Sequence, residues 1–356
     1  MGSEVIKSLR LKKIKIENFK AIDSLELEFP EPLMADDPDV FGFGSKNGLG
    51  KTSLLEACSL LMLSTVTNER DWIRIIEDEL PYDFFNLCVR SDAKYSSISG
   101  KFTINGIEEV VSIEVGRNGD LNLPSKRKKY YSVSESLTSP NNLKHSALLS
   151  LNGFLPEPLL LPPFLFLHSY RKISERKLEI GMGVEPDTRM MNRRDVKTIS
   201  LFKRLMVNLL MHDADFADFD VNDDNVGNEL KILNSMIEKY TGGQLGKPKV
   251  FIDNTIEIMI KPANGRKPFP FDGLSSGQKE IISTLFLIWK YTKDTPGIVL
   301  IDEPELHLNA EWHSDIIDQL YKIAPKNQYI VATHSESVFS SIPKDRRFIM
   351  SEKVEV

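Results

Sequence analysis

The sequence predicts an α/β protein with a twisted mixed sheet and an inserted helical lobe. Strand patterns rich in β-branched and aromatic residues occur in the first half, at Tyr95 to Phe102, Ile107 to Val115 and Leu159 to Leu167. A helical pattern follows from Lys197 to Tyr240, and Val250 to Ile260 returns to alternation. Strand patterns on both sides of one helical stretch indicate a sheet that is completed only after the insertion.

The helical stretch sets the predicted domain boundaries. Its apolar face consists of Ile199, Phe202, Leu205, Met206 and Leu209. An acidic loop interrupts the pattern at Asp213 to Asp224. We therefore expect an N-terminal part at residues 1–195, a helical lobe at 196–245 and a C-terminal part at 246–356. A chain of 356 residues can bury a full core in such an arrangement.

A glycine-rich turn between a strand pattern and a helix pattern is the first chemical signal. The segment from Val40 to Thr52 ends in Gly-Lys-Thr, and a helix-like pattern follows from Ser53 to Cys58. Glycines in such a turn let the backbone wrap a phosphate, a lysine reaches the β- and γ-phosphates, and a threonine hydroxyl ligates Mg²⁺. Ser45 replaces the first glycine of the strict pattern. The predicted nucleotide contacts are Ser45, Asn47, Gly48, Gly50, Lys51 and Thr52.

Three further signals follow in a fixed order. A helix pattern opens with Leu274, Ser275, Ser276, Gly277, Gln278 and Lys279. An apolar strand pattern then ends in Asp302 and Glu303, and a later one leads to His334. Backbone N–H groups at a helix start bind phosphate, acidic residues at a strand end hold Mg²⁺ and polarise water, and a histidine can reach the γ-phosphate. Together the four signals predict a site for ATP and Mg²⁺.

These residues resemble the ABC-type ATPases of the SMC, RecF and OLD branch, which are also described as AAA-family ATP-binding proteins. Leu11 to Ile22 is similar to the first strand and basic turn of that branch, and Leu25 to Phe29 alternates like its paired strand. Glu303 to Asn309 is similar to its Glu-Pro-Glu-x-His-Leu-His-Pro run. The resemblance covers most of the chain and implies a P-loop ATPase head. No heptad pattern persists, so we expect no long coiled coil.

The resemblance also implies a role for each site residue. Lys51 and Thr52 would bind phosphate and Mg²⁺, and Asp302 would support the Mg²⁺ through water. Glu303 would act as the base or orient the attacking water. His334 would sense the γ-phosphate.

In this family the signature of one subunit closes over the nucleotide of another. Ser275 to Gly277 would therefore act in trans, with Gln278 beside them, in a homodimer or higher homo-oligomer. The glutamine that links Mg²⁺ to the helical lobe has no evident counterpart, because Gln244 lies in a glycine-rich turn. The end of the run Phe164 to Arg171 could substitute, but a core strand followed by a solvated arginine is favoured.

Composition limits the remaining function classes. Cys58 and Cys88 have no metal-site or disulfide spacing and fit small buried residues in a reducing cytosol. No apolar run is long enough to span a bilayer and no signal peptide is evident, so we expect a cytoplasmic protein. Two polar segments, Arg117 to His145 and Lys177 to Asp195, are expected to be mobile loops.

Charge leaves nucleic-acid binding open. The formal net charge of −6 argues against wholesale binding of polyanions. Basic clusters at Lys126 to Tyr131, at Arg171 to Lys177 and at Arg193-Arg194 could still contact a DNA or RNA backbone. Solvated loops are the favoured interpretation of each cluster.

Three functions compete. The favoured one is an ATPase whose nucleotide-driven dimerisation controls a separate nuclease or toxin effector, as the resemblance implies for small anti-phage heads. The chain ends soon after His334, which favours a separate effector over the attached nuclease domain of OLD-type relatives. The second is a RecF-like repair or recombination ATPase that acts directly on DNA. The third is a slowly hydrolysing, nucleotide-held scaffold, which Ser45 and the missing glutamine would fit.

Overall fold

The structure is a computed structural model. It describes residues 4–34, 37–44, 49–66, 84–117, 121–122, 130–131, 159–161, 163–169, 171, 178–179, 201–213, 224–252 and 255–350. The chain divides into two compact units. The first comprises Met1–Arg171, Tyr291–Leu306 and Ala310–Val356, and the second comprises Lys172–Lys290 and His307–Asn309.

The described strands, in chain order, are β1 (Glu4–Val5), β2 (Leu9–Phe19), β3 (Ile22–Glu28), β4 (Val40–Gly44), β5 (Tyr95–Ile104), β6 (Ile107–Gly116), β7 (Leu121–Asn122), β8 (Tyr130–Tyr131), β9 (Leu159–Leu161), β10 (Phe164–Leu167), β11 (Leu178–Glu179), β12 (Gly243–Leu245), β13 (Lys249–Val250), β14 (Thr255–Glu257), β15 (Met259–Pro262), β16 (Phe269–Pro270), β17 (Ile298–Asp302), β18 (Gln328–Thr333) and β19 (Arg347–Ile349).

The described α-helices are α1 (Lys51–Val66), α2 (Phe84–Cys88), α3 (Leu201–Asp213), α4 (Asp224–Thr241), α5 (Ser276–Thr292), α6 (Ala310–His313), α7 (Ile316–Ile323) and α8 (Glu336–Ser341), with 3₁₀ turns at Phe271–Gly273 and Lys344–Arg346. The longest of these helices has 18 residues, so the described part of the chain contains no long coiled coil. None of them has the length and apolar character needed to cross a lipid bilayer.

The first unit is built around a six-stranded sheet in the order β19-β4-β18-β17-β10-β9. All neighbouring pairs are parallel except β10 with β9. Every residue of β17 and β18 is buried, as expected for inner strands of a parallel sheet covered on both faces. The carboxyl ends of β4, β18, β17 and β10 therefore lie along one edge, where open α/β sheets bind their ligands.

A second sheet of the same unit is antiparallel, in the order β3-β2-β5-β6-β7. Its inner face is apolar, whereas Lys13 on its outer face pairs with Glu26 and Glu28. The predicted strands at Leu11 to Ile22, Leu25 to Phe29, Tyr95 to Phe102 and Ile107 to Val115 are confirmed as β2, β3, β5 and β6.

Helix α1 packs between these two sheets. Its apolar residues share one core with Phe41 and Ile330 of the six-stranded sheet and Ile98 of the antiparallel sheet. A Cβ on Gly100 of β5 would lie 2.5 Å from Cδ2 of Leu61 in α1, so glycine allows the close approach. Full burial of a large apolar side chain contributes about 1.5–3 kcal/mol, which fixes this helix firmly.

Both cysteines are buried, as predicted. Cys58 lies in α1 and Cys88 ends α2. Burial raises the pKa of each thiol to about 12, so neither forms a thiolate at neutral pH.

The second unit contains α3, α4 and nearly all of α5, with two three-stranded sheets in the orders β11-β14-β13 and β12-β15-β16. This unit is larger than the predicted lobe at 196–245 and includes the signature, which the prediction assigned to the C-terminal part. The reason is aromatic packing: the Phe202 ring centroid lies 5.9 Å from those of Phe271 and Phe286. The predicted apolar face is buried at Phe202, Met206 and Leu209, whereas Leu205 is half-buried.

Two local predictions are wrong. The single strand expected from Leu159 to Leu167 is an antiparallel hairpin of β9 and β10, because adjacent prolines interrupt it and proline lacks the N–H needed for a ladder. Gln244 lies in β12 opposite Lys261, not in a turn. Most of both predicted mobile loops and of the acidic loop lies outside the described residues.

A buried side chain hydrogen-bonds the six-stranded sheet to the antiparallel sheet. Gln328 of β18 accepts a hydrogen bond from the Leu11 N–H of β2 at 2.9 Å and donates one to the Leu11 carbonyl at 2.8 Å. Gln328 is 2% exposed, so water cannot replace either bond.

We expect Gln328→Leu to lower the free energy of unfolding by about 2–4 kcal/mol, because it leaves two buried backbone groups unpaired. Chemical denaturation monitored by circular dichroism measures this loss. The exposed neighbour substitution Lys326→Leu should change stability by less than about 0.5 kcal/mol. Equal effects of the two substitutions would show that the amide bonds contribute nothing specific.

Candidate nucleotide site

The candidate site lies at the carboxyl edge of the six-stranded sheet. Parallel pairing places Asp302 opposite Ala332, and Thr333 opposite Gly44. The same register aligns Leu167 with Ile301. Four strand ends therefore deliver the start of the glycine-rich turn, the acidic pair, the histidine and the segment after β10 to one place.

Five predicted site residues meet there. The Thr52 hydroxyl donates to Oδ2 of Asp302 at 3.0 Å. Lys51 Nζ lies 3.5 Å from Nδ1 of His334, and Nε2 of that ring lies 3.6 Å from Oε1 of Glu303. Residues 250 positions or more apart in sequence thus form one contiguous polar cluster.

The turn before α1 requires glycine at position 50. Gly50 has φ +89°, a left-handed conformation that favours glycine. A Cβ at this position would also lie 3.0 Å from Cγ1 of Ile22. The Gly50 carbonyl accepts from the Leu54 N–H at 2.8 Å and so begins the helix. Ser45, Asn47 and Gly48 of the same predicted loop lie outside the described residues.

Glu303 also has a left-handed backbone, with φ +50°. This conformation costs a non-glycine residue about 1–3 kcal/mol and is found where surrounding bonds enforce it. The Glu303 N–H donates to the Ala332 carbonyl at 2.8 Å, and its own carbonyl accepts from Leu306 at 3.0 Å.

Glu305 fixes the chain after β18. Its carboxylate accepts from the Thr333 hydroxyl at 2.8 Å and from the N–H groups of His334 and Ser335 at 2.8 and 3.1 Å. The sequence interpretation did not assign this residue a role, although it stands within the Glu-Pro-Glu run that carried the resemblance. Its three bonds hold His334 at the site.

Arg171 corrects the prediction of a solvated arginine, since it is 5% exposed. One guanidinium nitrogen donates to the carbonyls of His168 and Asp302 at 3.0 and 2.7 Å. The other donates to the carbonyl of Glu303 at 3.0 Å. Ser169, two residues before it, donates to the Asp302 carboxylate from its hydroxyl and its backbone N–H. The core strand expected before these residues is confirmed as β10.

The predicted signature, Ser275 to Gln278, lies in the second unit at the start of α5. The Ser275 N–H donates to Oε1 of Gln278 at 3.0 Å, and the Gln278 N–H donates to the Ser275 hydroxyl at 3.2 Å. This reciprocal pair is a capping box. The Gln278 amide also donates to the Tyr240 carbonyl at 2.9 Å, so both of its polar groups bond within the protein.

Position 277 requires glycine, because a Cβ there would overlap the His307 carbonyl oxygen of the same unit. Ser275 and Ser276 are exposed at the helix start. The Ser275 hydroxyl accepts from Gln278 but can still donate its own proton, and the exposed Ser276 hydroxyl lies beside it, so both could bind a ligand.

Comparison with a family model identifies the protein class. A model described as an AAA domain, in words that also name the AbiEii toxin and a Type IV TA system, matches residues 46–340. This chain belongs to that AAA-domain family. The matched span includes the start of α1, the signature, the acidic pair and His334.

Curated relatives of this AAA-domain chain include proteins named for Septu and retron systems. Septu protein PtuA of Bacillus mycoides (strain KBAB4) is 24% identical over 334 residues, which cover 91% of this chain and 38% of that protein. The "Retron Vc95 probable ATPase" of Vibrio cholerae serotype O1 biovar El Tor is 33% identical over 89 residues, or 22% of this chain and 17% of that protein. The chain therefore spans much less than two thirds of either relative.

Solved structures show that the fold of this AAA-domain chain is that of an SMC head. The SmcHead bound to the C-winged helix domain of ScpA has a TM-score of 0.52 at 16% identity, covering 93% of this chain and 92% of that one. A Pyrococcus furiosus Smc head with an extended coiled coil has a TM-score of 0.50 at 14% identity, covering 94% and 92%. The predicted mixed α/β P-loop ATPase fold is thus confirmed.

The donor set of the AAA-domain site fits Mg²⁺. Hydroxyl and carboxylate oxygens of Thr52, Ser169 and Asp302 are hard ligands of the kind this ion prefers. In the described part of the chain, no group of three or more His, Cys, Asp or Glu side chains could hold a metal. Mg²⁺ usually keeps several waters and is bound by one or two carboxylates together with substrate phosphates, which these few protein oxygens fit.

Burial shapes the charges of this site. Burial is the main cause that raises the pKa of Asp302. Burial also raises the pKa of Glu303, and the Asp302 charge raises it further. Burial lowers the pKa of Lys51 against the attraction of the nearby carboxylates. Each charge is poorly solvated without a ligand, so a cation near the carboxylates and phosphate near Lys51 would stabilise all three.

The raised pKa of Asp302 predicts a pH-dependent effect of Asp302→Asn. The folded protein binds this proton more tightly than the unfolded chain, so the charge is destabilising above the raised pKa and has no such effect below the ordinary value of 3.8. Without nucleotide or metal, the substitution should raise the melting temperature at pH 7, and the gain should shrink towards pH 4.

Differential scanning calorimetry in EDTA at both pH values measures this difference. The exposed substitution Asp318→Asn, at a residue paired only with Lys322 on the surface of α7, serves as the control and should show no gain. An Asp302→Asn variant that is less stable than the parent by the same amount at both pH values would contradict the account.

Proposed function

We propose that this chain is a Mg²⁺-dependent ATPase whose nucleotide-driven dimerisation controls a separate effector, a nuclease or toxin, in anti-phage defence. The observation that supports this best is the meeting of Lys51, Thr52, Asp302, Glu303 and His334 at one sheet edge. These are a phosphate-binding cation, a metal-binding hydroxyl and carboxylate, a candidate base and a γ-phosphate contact.

Nucleotide binding would begin at the start of α1. Lys51 is the first residue of this 16-residue helix, so its side chain adds to the positive end of the helix dipole. Thr52 and Asp302 would hold Mg²⁺, which when bound neutralises phosphate charge. Ser169 bonds the same carboxylate and is our candidate for the oxygen ligand that a glutamine supplies in the family. These contacts would orient the γ-phosphate towards Glu303 and His334.

Hydrolysis would use Glu303. Its carboxylate would orient a water molecule in line with the γ-phosphorus and accept a proton as the new P–O bond forms and the bond to ADP breaks. The raised pKa of Glu303 makes the carboxylate a better base than an exposed one. His334, held by Glu305, would contact the γ-phosphate.

Dimerisation would complete the site. The exposed Ser275 and Ser276 at the start of α5 could bind the phosphates of a nucleotide held by a second copy. A monomer would then hydrolyse ATP slowly. The scaffold alternative becomes a question of rate, because Ser45 and the absence of the usual glutamine both favour slow turnover.

The defence role rests on the relatives. Septu PtuA aligns with 91% of this chain, and retron ATPases align with shorter parts of it. Direct action on DNA stays the alternative: of the basic clusters, only Tyr130, Tyr131 and the buried Arg171 lie within the described residues. The named relatives lead us to favour an effector controlled through the ATP-bound dimer.

Two substitutions separate binding from hydrolysis. Lys51→Ala should weaken ATP binding at least about tenfold, since it removes the cation that faces the phosphates. Glu303→Gln should bind ATP with the parent's affinity, hydrolyse it about 100-fold or more slowly, and accumulate as an ATP-bound dimer. Isothermal titration, phosphate release and mass photometry measure the three properties.

The surface variants Lys326→Ala and Glu336→Gln change the same residue types at exposed positions and should match the parent. Parent-like hydrolysis by Glu303→Gln would exclude Glu303 as the base. Parent-like ATP affinity in Lys51→Ala would exclude this sheet edge as the nucleotide site.

A further inference from the structure

Arg171 places a buried positive charge behind the acidic pair. Its guanidinium contacts the backbone carbonyls of His168, Asp302 and Glu303 at 2.7–3.0 Å. These bonds are to main-chain oxygens, so the arginine acts on the path of the backbone. Its 5% exposure leaves it out of reach of a nucleic acid.

Arg171 bonds a backbone segment that has an unusual conformation. Glu303 is one of a few described non-glycine residues with positive φ, and it directly follows the fully buried strand β17. Its N–H is fixed by Ala332 and its carbonyl by Arg171 and Leu306. Without these bonds a glutamate would relax to a right-handed backbone conformation, and its side chain would no longer point towards His334.

We propose that Arg171 is a positioning residue for ATP hydrolysis, which holds Glu303 in its left-handed conformation and so aims the carboxylate at the site. The inference rests on the proposed ATPase function. The planar fork of a guanidinium can bond several carbonyls at once, whereas the single ammonium of lysine cannot reproduce that geometry. Charge alone would therefore be insufficient at this position.

Arg171→Lys should lower kcat about 10–100-fold, because a small misplacement of a catalytic group has an effect of this size. The KM and the affinity for ATP should stay within about twofold of the parent, since the hydrogen bonds described for the Arg171 guanidinium are to the carbonyls of His168, Asp302 and Glu303. Arg346→Lys is the matched control: Arg346 is equally buried but pairs with Asp39, which precedes β4 at the other end of that strand. That control should keep the parent's kcat even if it is less stable.

A double-mutant cycle with Glu303→Gln distinguishes positioning from general damage. If Arg171 acts through Glu303, adding Arg171→Lys to Glu303→Gln should lower the single-turnover rate by less than about twofold. A merely structural role would lower the rate by the same factor in both backgrounds. If the lysine variant does not fold, Arg171→Gln, which keeps one donor group, replaces it in the same cycle.

The outcomes separate this inference from the proposed function. A parent protein without ATPase activity, alone and as a dimer, would refute the function on which the inference rests. An active parent with a folded Arg171→Lys variant of unchanged kcat would overturn the inference alone. Multiplying losses in the double variant would also overturn it, whereas a lowered kcat with non-multiplying losses would support it.

Discussion

The parallel register of β4, β18 and β17 is the constraint on which the rest of the site depends. Because side chains alternate along a strand, a slip of one residue would turn Asp302 away from Thr52 and move Thr333 out of line with Gly44. Two kinds of contact hold this register. Continuous apolar burial excludes water from the inner strands, and Gln328 joins the sheet to Leu11 of its neighbour.

The site is assembled through the backbone. Glu305 holds the residues after β18, and Arg171 holds those after β17. The buried carboxylates and lysine keep charges that the protein alone solvates poorly. Such a site stores unfavourable electrostatic energy that Mg²⁺ and phosphate would release, which favours ligand binding at the expense of stability in the free protein.

The sequence predicted which residues lie together better than it predicted the extent of the second unit. Lys51, Thr52, Asp302, Glu303 and His334 could be expected to meet because each follows an apolar strand pattern, and such ends meet in a parallel sheet. Arg171 was wrongly predicted to be solvated. Nothing in a sequence distinguishes an arginine that bonds main-chain oxygens from one that is exposed to solvent. The extent of the second unit was missed because Phe202 and Phe286, 84 positions apart, pack only after folding.

The proposal that two copies of the chain share each nucleotide site is tested most directly by the ATPase rate per chain as a function of protein concentration, with the mass measured in ATP and Mg²⁺. A rate per chain that rises with concentration, together with a dimeric mass in ATP, is the predicted result, because in the proposed mechanism each nucleotide would need the signature of a second copy. A constant rate per chain from a protein that stays monomeric in ATP would contradict the account.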